Sequence, residues 1–173
     1  MKKFFLILVF FLLISQVSGV EIRGVDFEIP DKYSDGDLKS YGYVYNNENT
    51  FSILCIDLLM QKYAEWAYES SFSENITIGS HDAVHYVDGR NISHLIFSCG
   101  KSFFSISWNS SEITPEIEKL VYDSPDSNLT SSQFYSKLEN ELAEYEMDKE
   151  IEEETVYPGD FDWDDYDYDY DWD

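Results

Sequence analysis

The chain has 173 residues, with 35 acidic and 11 basic side chains and a formal net charge of −24. Hydrophobic residues make up 43% of it and aromatic residues 17%. That is enough apolar mass for one core of ordinary size, but the chain is too short for two full domains. The acidic balance excludes nucleic acid as an expected partner, because its phosphates would be repelled.

The first 19 residues have the pattern of a secretory signal. Two lysines precede an unbroken apolar run from Phe4 to Ile14, and Val17-Ser18-Gly19 offers a signal-peptidase site. We predict cleavage after Gly19. The alternative is an uncleaved anchor, although this run is shorter than the about 20 apolar residues that span a bilayer. The expected location is therefore secreted or cell-surface associated, with membrane contact only during export.

Charge divides the rest of the chain into two parts. Residues 20–138 hold 18 acidic and 8 basic side chains, whereas residues 139–173 hold 17 acidic side chains and one lysine. We predict a globular domain over 20–127, an acidic amphipathic helix over 128–154 and a disordered Asp/aromatic tail over 155–173.

Four N-x-Ser/Thr triplets agree with export and make their asparagines N-glycosylation candidates: Asn75, Asn91, Asn109 and Asn128. The alternative is that they are unmodified polar turn residues. Cys55 and Cys99 are the only cysteines, and in an exported chain such a pair indicates one disulfide, with the two residues on neighbouring strands. Closing that loop would contribute roughly 3–4 kcal/mol. Two free buried thiols are the alternative.

Apolar alternation predicts three strands before the first helix, over 25–30, 41–45 and 51–56, separated by a loop over 31–39 and a turn over 46–49. The period then lengthens, which predicts an amphipathic helix over 58–71. Three further strands are expected over 83–87, 92–98 and 102–108, and Gly100-Lys101 is the hairpin turn between the last two. On the last strand, Phe104, Ile106 and Trp108 should face the core, with Ser105 and Ser107 facing water.

Two helices complete the predicted fold. Thr114-Pro115 has the pattern of a helix start, and the buried stripe of that helix is formed by Ile117, Leu120 and Val121. Thr130 and Gln133 form a capping-box pattern that opens the acidic helix. The order predicts an α+β fold, in which an antiparallel sheet of about six strands is covered by helices.

Two short stretches carry a family resemblance. The segment over 24–33 (GVDFEIPDKY) and the later Ile78-Gly79…Ala83 resemble domains of small exported proteins of methanogenic archaea, which have no assigned function. The element order is similar to the PsbP-like α+β fold, over roughly residues 22–124. The resemblance implies a binding or accessory module rather than a catalyst, and it places no functional residue on this chain.

Catalytic and metal motifs are weak in this sequence. His81, Asp82 and His85 suggest a metal site, but residues four apart on a strand lie about 13 Å from one another, too far to share one zinc ion. No G-x-S-x-G, Walker A or G-x-G-x-x-G pattern occurs. We therefore expect no cofactor and no catalytic residue.

The C-terminal tail alternates Asp with aromatic residues. It is either a disordered solvating tail or a linear segment that binds a partner. Its carboxylates could bind cations such as Ca²⁺ weakly, through Asp160, Asp162, Asp164, Asp165, Asp167, Asp169, Asp171 and Asp173. It lacks the Gly and Glu positions of an EF-hand loop.

The function expected from these patterns is that of an exported, non-catalytic binding or accessory protein of the cell envelope. Its partner would be an envelope protein, a polymer or a basic surface, with divalent cations as a further candidate. Two alternatives remain open, a hydrolase acting on envelope polymers and a structural, solubilising surface protein.

Overall fold

The computed structural model describes residues 19–45, 51–57, 60–70 and 72–155, with side chains through Ile151. The predicted signal sequence before Gly19 and the tail carboxylates from Asp160 to Asp173 lie outside these residues.

Strands dominate the described part of the chain, which contains nine strands and three helices. The strands are β1 (Gly19–Ile22), β2 (Val25–Glu28), β3 (Asp37–Lys39), β4 (Gly42–Tyr45), β5 (Phe51–Cys55), β6 (Phe72–Ile78), β7 (His81–Val87), β8 (Ser93–Cys99) and β9 (Ser102–Trp108). The helices are α1 (Met60–Tyr68), α2 (Pro115–Tyr122) and α3 (Ser131–Thr155), and one turn of 3-10 helix covers Asp31–Tyr33.

Seven strands form one antiparallel sheet in the order β3-β4-β5-β9-β8-β7-β6, while β1 and β2 form a separate hairpin. The β8–β9 turn has Gly100 at a φ of +59°, a conformation that glycine adopts without strain. This turn places Cys99 opposite Ser102, and the pairing then continues to Ser93 opposite Trp108. The α+β prediction agrees with this mixed architecture.

One face of the sheet, called here the hairpin face, is covered by the β1–β2 hairpin and α2. Phe27 of the hairpin packs edge-on against Phe104, with 5.0 Å between ring centroids. Ile117 and Val121 of α2 are fully buried in the same cluster. The residues predicted to face the core from β9, Phe104, Ile106 and Trp108, all lie there.

The opposite face, called the helix face, is covered by α1 and α3. Phe134 of α3 stacks on Phe103 with 5.6 Å between centroids, and Tyr63 of α1 packs in the same cluster. The start of α3 is stabilised by the predicted capping box, because Gln133 N–H donates to Thr130 Oγ1 and Thr130 N–H donates to Gln133 Oε1.

Two features of the sheet differ from the sequence-based expectation. The sheet has seven strands rather than about six, because β3 and the seven-residue β6 were not predicted, whereas the strand predicted over 25–30 lies in the separate hairpin with β1. The prediction that Ser105 and Ser107 face water is wrong, since α1 and α3 cover them and both are buried. Burial is therefore continuous along β9 although its sequence alternates, because the strand is covered on both faces.

The cysteines are not on neighbouring strands, which corrects that prediction. Cys55 ends β5 and Cys99 ends β8, and β9 lies between these two strands. Two strand spacings amount to about 9.6 Å, beyond the about 7 Å that a disulfide spans between Cα atoms. Both thiols are free and buried.

Candidate functional site

The three histidines occupy separate polar environments and do not form one site. His81 is fully buried, with Nδ1 3.0 Å from the Ser98 carbonyl oxygen and Nε2 3.2 Å from that of Ser124. His85 has other partners, so His81, Asp82 and His85 do not converge on one metal site. No group of three or more potential ligands that could hold a metal ion occurs within the described residues.

His85 lies between a serine and a carboxylate on the hairpin face. Its Nε2 is 3.0 Å from Ser93 Oγ, and its Nδ1 is 3.3 Å from Glu74 Oε1. The ring stacks on Trp108 with 5.7 Å between centroids. The connectivity of these three side chains is that of a Ser-His-acid triad.

This array does not present its serine to a substrate. Ser93 is 0% exposed and His85 is 2% exposed, whereas only Glu74 reaches solvent. A nucleophile must approach the carbon it attacks, so the folded chain would have to open between β7 and β8 before Ser93 could react. In the closed structure, the Ser93 hydroxyl is the hydrogen-bond partner of the buried His85 ring.

His94 forms a second Ser-His-acid arrangement on the helix face. Ser107 Oγ lies 2.8 Å from His94 Nδ1, and Asp88 Oδ2 lies 3.7 Å from Nε2. The ring is stacked against Trp66 of α1 and against Tyr86 of β7. Burial lowers the pKa of His94 to about 4, and the Asp88 carboxylate only partly offsets this effect.

Asp88 organises the turn between β7 and β8. Its Oδ1 accepts hydrogen bonds from the main-chain N–H groups of Arg90 and Ile92, and its Oδ2 accepts two from the Arg90 guanidinium. Burial alone would raise the pKa of Asp88, but these hydrogen bonds hold the pKa below its usual value. The Asp88 carboxylate therefore stabilises the β7–β8 turn through these four hydrogen bonds.

An open acidic cleft separates α1 from α3. It has a volume of about 240 Å³ and is lined by Gln61, Glu141, Glu144, Tyr145 and Asp148. Lys137 forms an ion pair with Glu141, while the Lys149 ammonium lies 5.7 Å from the centre of the Tyr145 ring. Helix α3 as a whole carries nine acidic and two basic side chains, so the cleft lies in a negative field.

The four glycosylation candidates are all exposed. Asn75 lies within β6, Asn91 in the β7–β8 turn with a φ of +63°, Asn109 directly after β9, and Asn128 between α2 and α3. Their hydroxyl partners differ, because Ser93 is fully buried whereas Thr77, Ser111 and Thr130 are exposed.

The two cysteines are poor nucleophiles in this fold. Burial raises the pKa of Cys99 to about 12 and also raises the pKa of Cys55. Since the thiolate is the reactive form, neither side chain has the environment of a catalytic cysteine.

The His94–Ser107 pair was missed from the sequence, although a signal for it was present. The predicted hairpin turn at Gly100-Lys101 already fixes the register of the two strands around it. Counting back five residues from Cys99 and forward five from Ser102 places His94 opposite Ser107. The Glu74–His85 contact had no comparable signal, because β6 was not predicted.

No protein-family model matches the chain, and no curated protein or solved structure is significantly similar to it. None of the helices in the described residues is long and apolar enough to cross a membrane. The geometry of the chain itself therefore carries the functional argument.

Proposed function

We propose that the protein is an exported, non-catalytic binding protein of the cell envelope, and that the α1–α3 cleft binds a cationic group of its partner. The observation that carries this proposal is the composition of the cleft, whose lining includes three carboxylates and one tyrosine. Carboxylates attract a lysine or arginine side chain. The Lys149 ammonium already lies over the Tyr145 ring, which shows that this ring accepts a cation, and a cationic side chain of the partner would take the place of Lys149 there.

The contrast between the two ends of α3 supports this assignment. Phe134 and Leu138 bury the first half of the helix against the sheet. Met147 and Ile151 in the second half are more than half exposed, among acidic side chains. The second half therefore contributes little to the core, and its charge is available to a partner.

Envelope location rests on the signal pattern of residues 1–19 and on four exposed sequons. A strongly acidic exported protein would meet basic proteins or polymers there, and long-range attraction would speed their encounter. The acidic tail would add to the same field.

Binding of a fluorescein-labelled decalysine peptide to the full chain tests the cleft. We expect the double variant Glu144→Gln/Asp148→Asn to weaken binding about fivefold to tenfold at low salt, since two exposed charge contacts are lost. The matched control is Glu139→Gln/Glu146→Gln, which removes the same charge from exposed positions of α3 outside the cleft. The control should change the affinity less than about twofold, and added salt should weaken all complexes.

Equal losses of peptide affinity in the two double variants would contradict binding in the cleft. They would show that the peptide responds only to the net charge of α3. Failure of the wild-type chain to bind the peptide at low salt would contradict the proposal altogether. A chain ending at residue 155 separates the cleft from the tail, because a cleft-based site keeps most of its affinity in that chain.

The hydrolase alternative has one specific observation in its favour, the Ser93–His85–Glu74 connectivity. A fluorophosphonate probe tests it in the folded protein, and we expect no labelling because Ser93 is buried. Labelling that is abolished by Ser93→Ala but not by Ser107→Ala would favour the hydrolase instead.

A further inference from the structure

The two edges of the sheet are protected to different degrees. At one edge, β3 has only three residues, and Asp37 and Lys39 form an ion pair there. At the other edge, β6 has seven residues and pairs with β7 alone among the described strands. A long edge strand with unpaired main-chain groups is a template for a strand of another molecule.

The side chains of β6 give little protection against such pairing. The strand contains no Pro and no Lys, and its one charged residue, Glu74, contacts His85. Phe72 is 46% exposed, and Ile76 lies further along on the same face. The sequence is rich in residues that favour strands, so β6 would add readily to a second sheet.

Asn75 lies at the middle of this strand. Its triplet, Asn75-Ile76-Thr77, is fully extended, and the side chains of Asn75 and Thr77 are exposed on the same face. Glycan transfer needs an asparagine amide and a hydroxyl that the transferase can both reach. The folded β6 edge already presents this arrangement.

The other three triplets are held differently. At Asn91 the hydroxyl partner is Ser93, which is fully buried and paired with His85. Asn109 is followed by a tight turn, in which Ser110 N–H donates to the Trp108 carbonyl. The Thr130 hydroxyl of the Asn128 triplet is used by the capping box of α3.

We propose that Asn75 carries an N-linked glycan that covers the open edge of the sheet and prevents β6 from pairing with another copy of this chain. The donor is a polyprenyl-diphosphate-linked oligosaccharide used by a membrane transferase that acts on the exported chain once the sheet has formed. Asn75 Nδ2 attacks the anomeric carbon, whose bond to the diphosphate oxygen breaks. A C–N bond forms, the amide releases one proton, and the lipid diphosphate is the leaving group. The attached sugar is bulky and strongly hydrated, so no strand can approach that edge.

Expression of the full chain in a host with N-glycosylation tests both parts of the proposal. Peptide mapping by mass spectrometry should find Asn75 occupied in most molecules. Asn75→Gln and Thr77→Val, which both destroy the triplet, should form dimers and larger species in analytical ultracentrifugation. Asn109→Gln is the matched control, since it removes a triplet away from the edge, and it should stay as monomeric as the wild type.

The variant Asn75→Lys distinguishes loss of the glycan from exposure of an uncharged edge strand. This variant carries no glycan at residue 75 but places a charge in the middle of the edge strand, so it should remain monomeric. Trimming the glycans of the folded wild type with an endoglycosidase should produce the association seen in Asn75→Gln, which excludes misfolding of the variant as the cause.

Two results would overturn the proposal. One is an unmodified Asn75 beside occupied sites elsewhere in the same molecules. The other is an Asn75→Gln protein that associates no more than Asn109→Gln at equal concentration. Neither result depends on decalysine binding, so this test is independent of the cleft.

Discussion

The hairpin face and the helix face of the sheet satisfy buried polar groups to different extents. On the hairpin face, both ring nitrogens of His85 lie within 3.3 Å of a side-chain oxygen. His81 has a main-chain carbonyl oxygen near each ring nitrogen, and since a neutral imidazole carries one N–H, it donates to only one of them. Among the described residues, three buried atoms on the helix face lack a hydrogen-bond partner, namely His94 Nε2, the Tyr86 hydroxyl and Ser105 Oγ, against Thr114 Oγ1 at the start of α2 on the hairpin side.

The covering elements explain this difference. Loops and strand ends bring unused main-chain carbonyls to a buried histidine, as Ser124 does after the end of α2. A helix interior uses its main-chain groups in its own hydrogen bonds and offers only side chains, here mostly rings. The helix face, which is covered by the interiors of α1 and α3 alone, therefore pairs its inward polar groups less completely than the hairpin face, where the chain after the end of α2 supplies a carbonyl.

The largest expected effect concerns the packing of the hairpin face. Trp108 is 1% exposed, and Trp108→Ala should lower the free energy of unfolding by about 3–5 kcal/mol, because it leaves a cavity in the buried cluster of this face. Trp66→Ala on the helix face should cost only about 1–2 kcal/mol, since Trp66 is half-buried. Urea unfolding measures both, and equal losses would show that the two faces are equally closed.

The pH dependence of stability sharpens the comparison on the helix face. The pKa of His94 is about 4 in the folded chain and about 6.5 when unfolded, so the unfolded state gains the proton first as pH falls. Stability from this group is complete above pH 6.5 and is lost progressively toward pH 4, by roughly 3 kcal/mol. Urea unfolding of wild type and His94→Gln measures the loss.

His94→Gln should show a shallower decline of stability between pH 6.5 and 4 than the wild type. Above about pH 8 the two proteins should have the same slope, because His94 is almost fully deprotonated there in both the folded and the unfolded state. Identical slopes in the acidic range would mean that His94 is not the group that titrates.

The cysteines test how tightly the hairpin face is closed. Cys55 and Cys99 both belong to its cluster, and their raised pKa values keep the thiols protonated. Alkylation by iodoacetamide at pH 8 should be at least about 100-fold slower in the native protein than in urea, because it requires opening of the core. An intact mass lower by two hydrogens, with no free thiol in urea, would instead reveal a disulfide.

The smallest expected effect lies at the start of α3. Thr130→Ala removes the hydroxyl of the capping box and should destabilise the protein by about 1 kcal/mol. Ser132→Ala, an exposed neighbour in the first turn, should stay within about 0.5 kcal/mol of the wild type. Thermal unfolding compares the two, and equal shifts would show that the cap contributes nothing.

The sequence predicts an element correctly where residues within one short segment determine its conformation. The β9 strand, the Gly100 turn, the buried stripe of α2 and the Thr130 cap all depend on neighbours within a few residues. The missed strand β6 alternates apolar and polar residues, but Glu74 interrupts its apolar face. Its sequence favours a strand, whereas its partner β7 and its edge position are visible only in the sheet.

The sequence by itself determined the strand and helix segments whose apolar period is strong, the division of charge along the chain and the positions of the four sequons. Only the tertiary structure decided that both faces of the sheet are covered, that β9 separates the cysteines, and that Ser93 is buried while Thr77 is exposed. The physical reason is that local conformation follows from short-range sterics and hydrogen bonds. Burial and pairing depend instead on which distant segments fold back onto each strand.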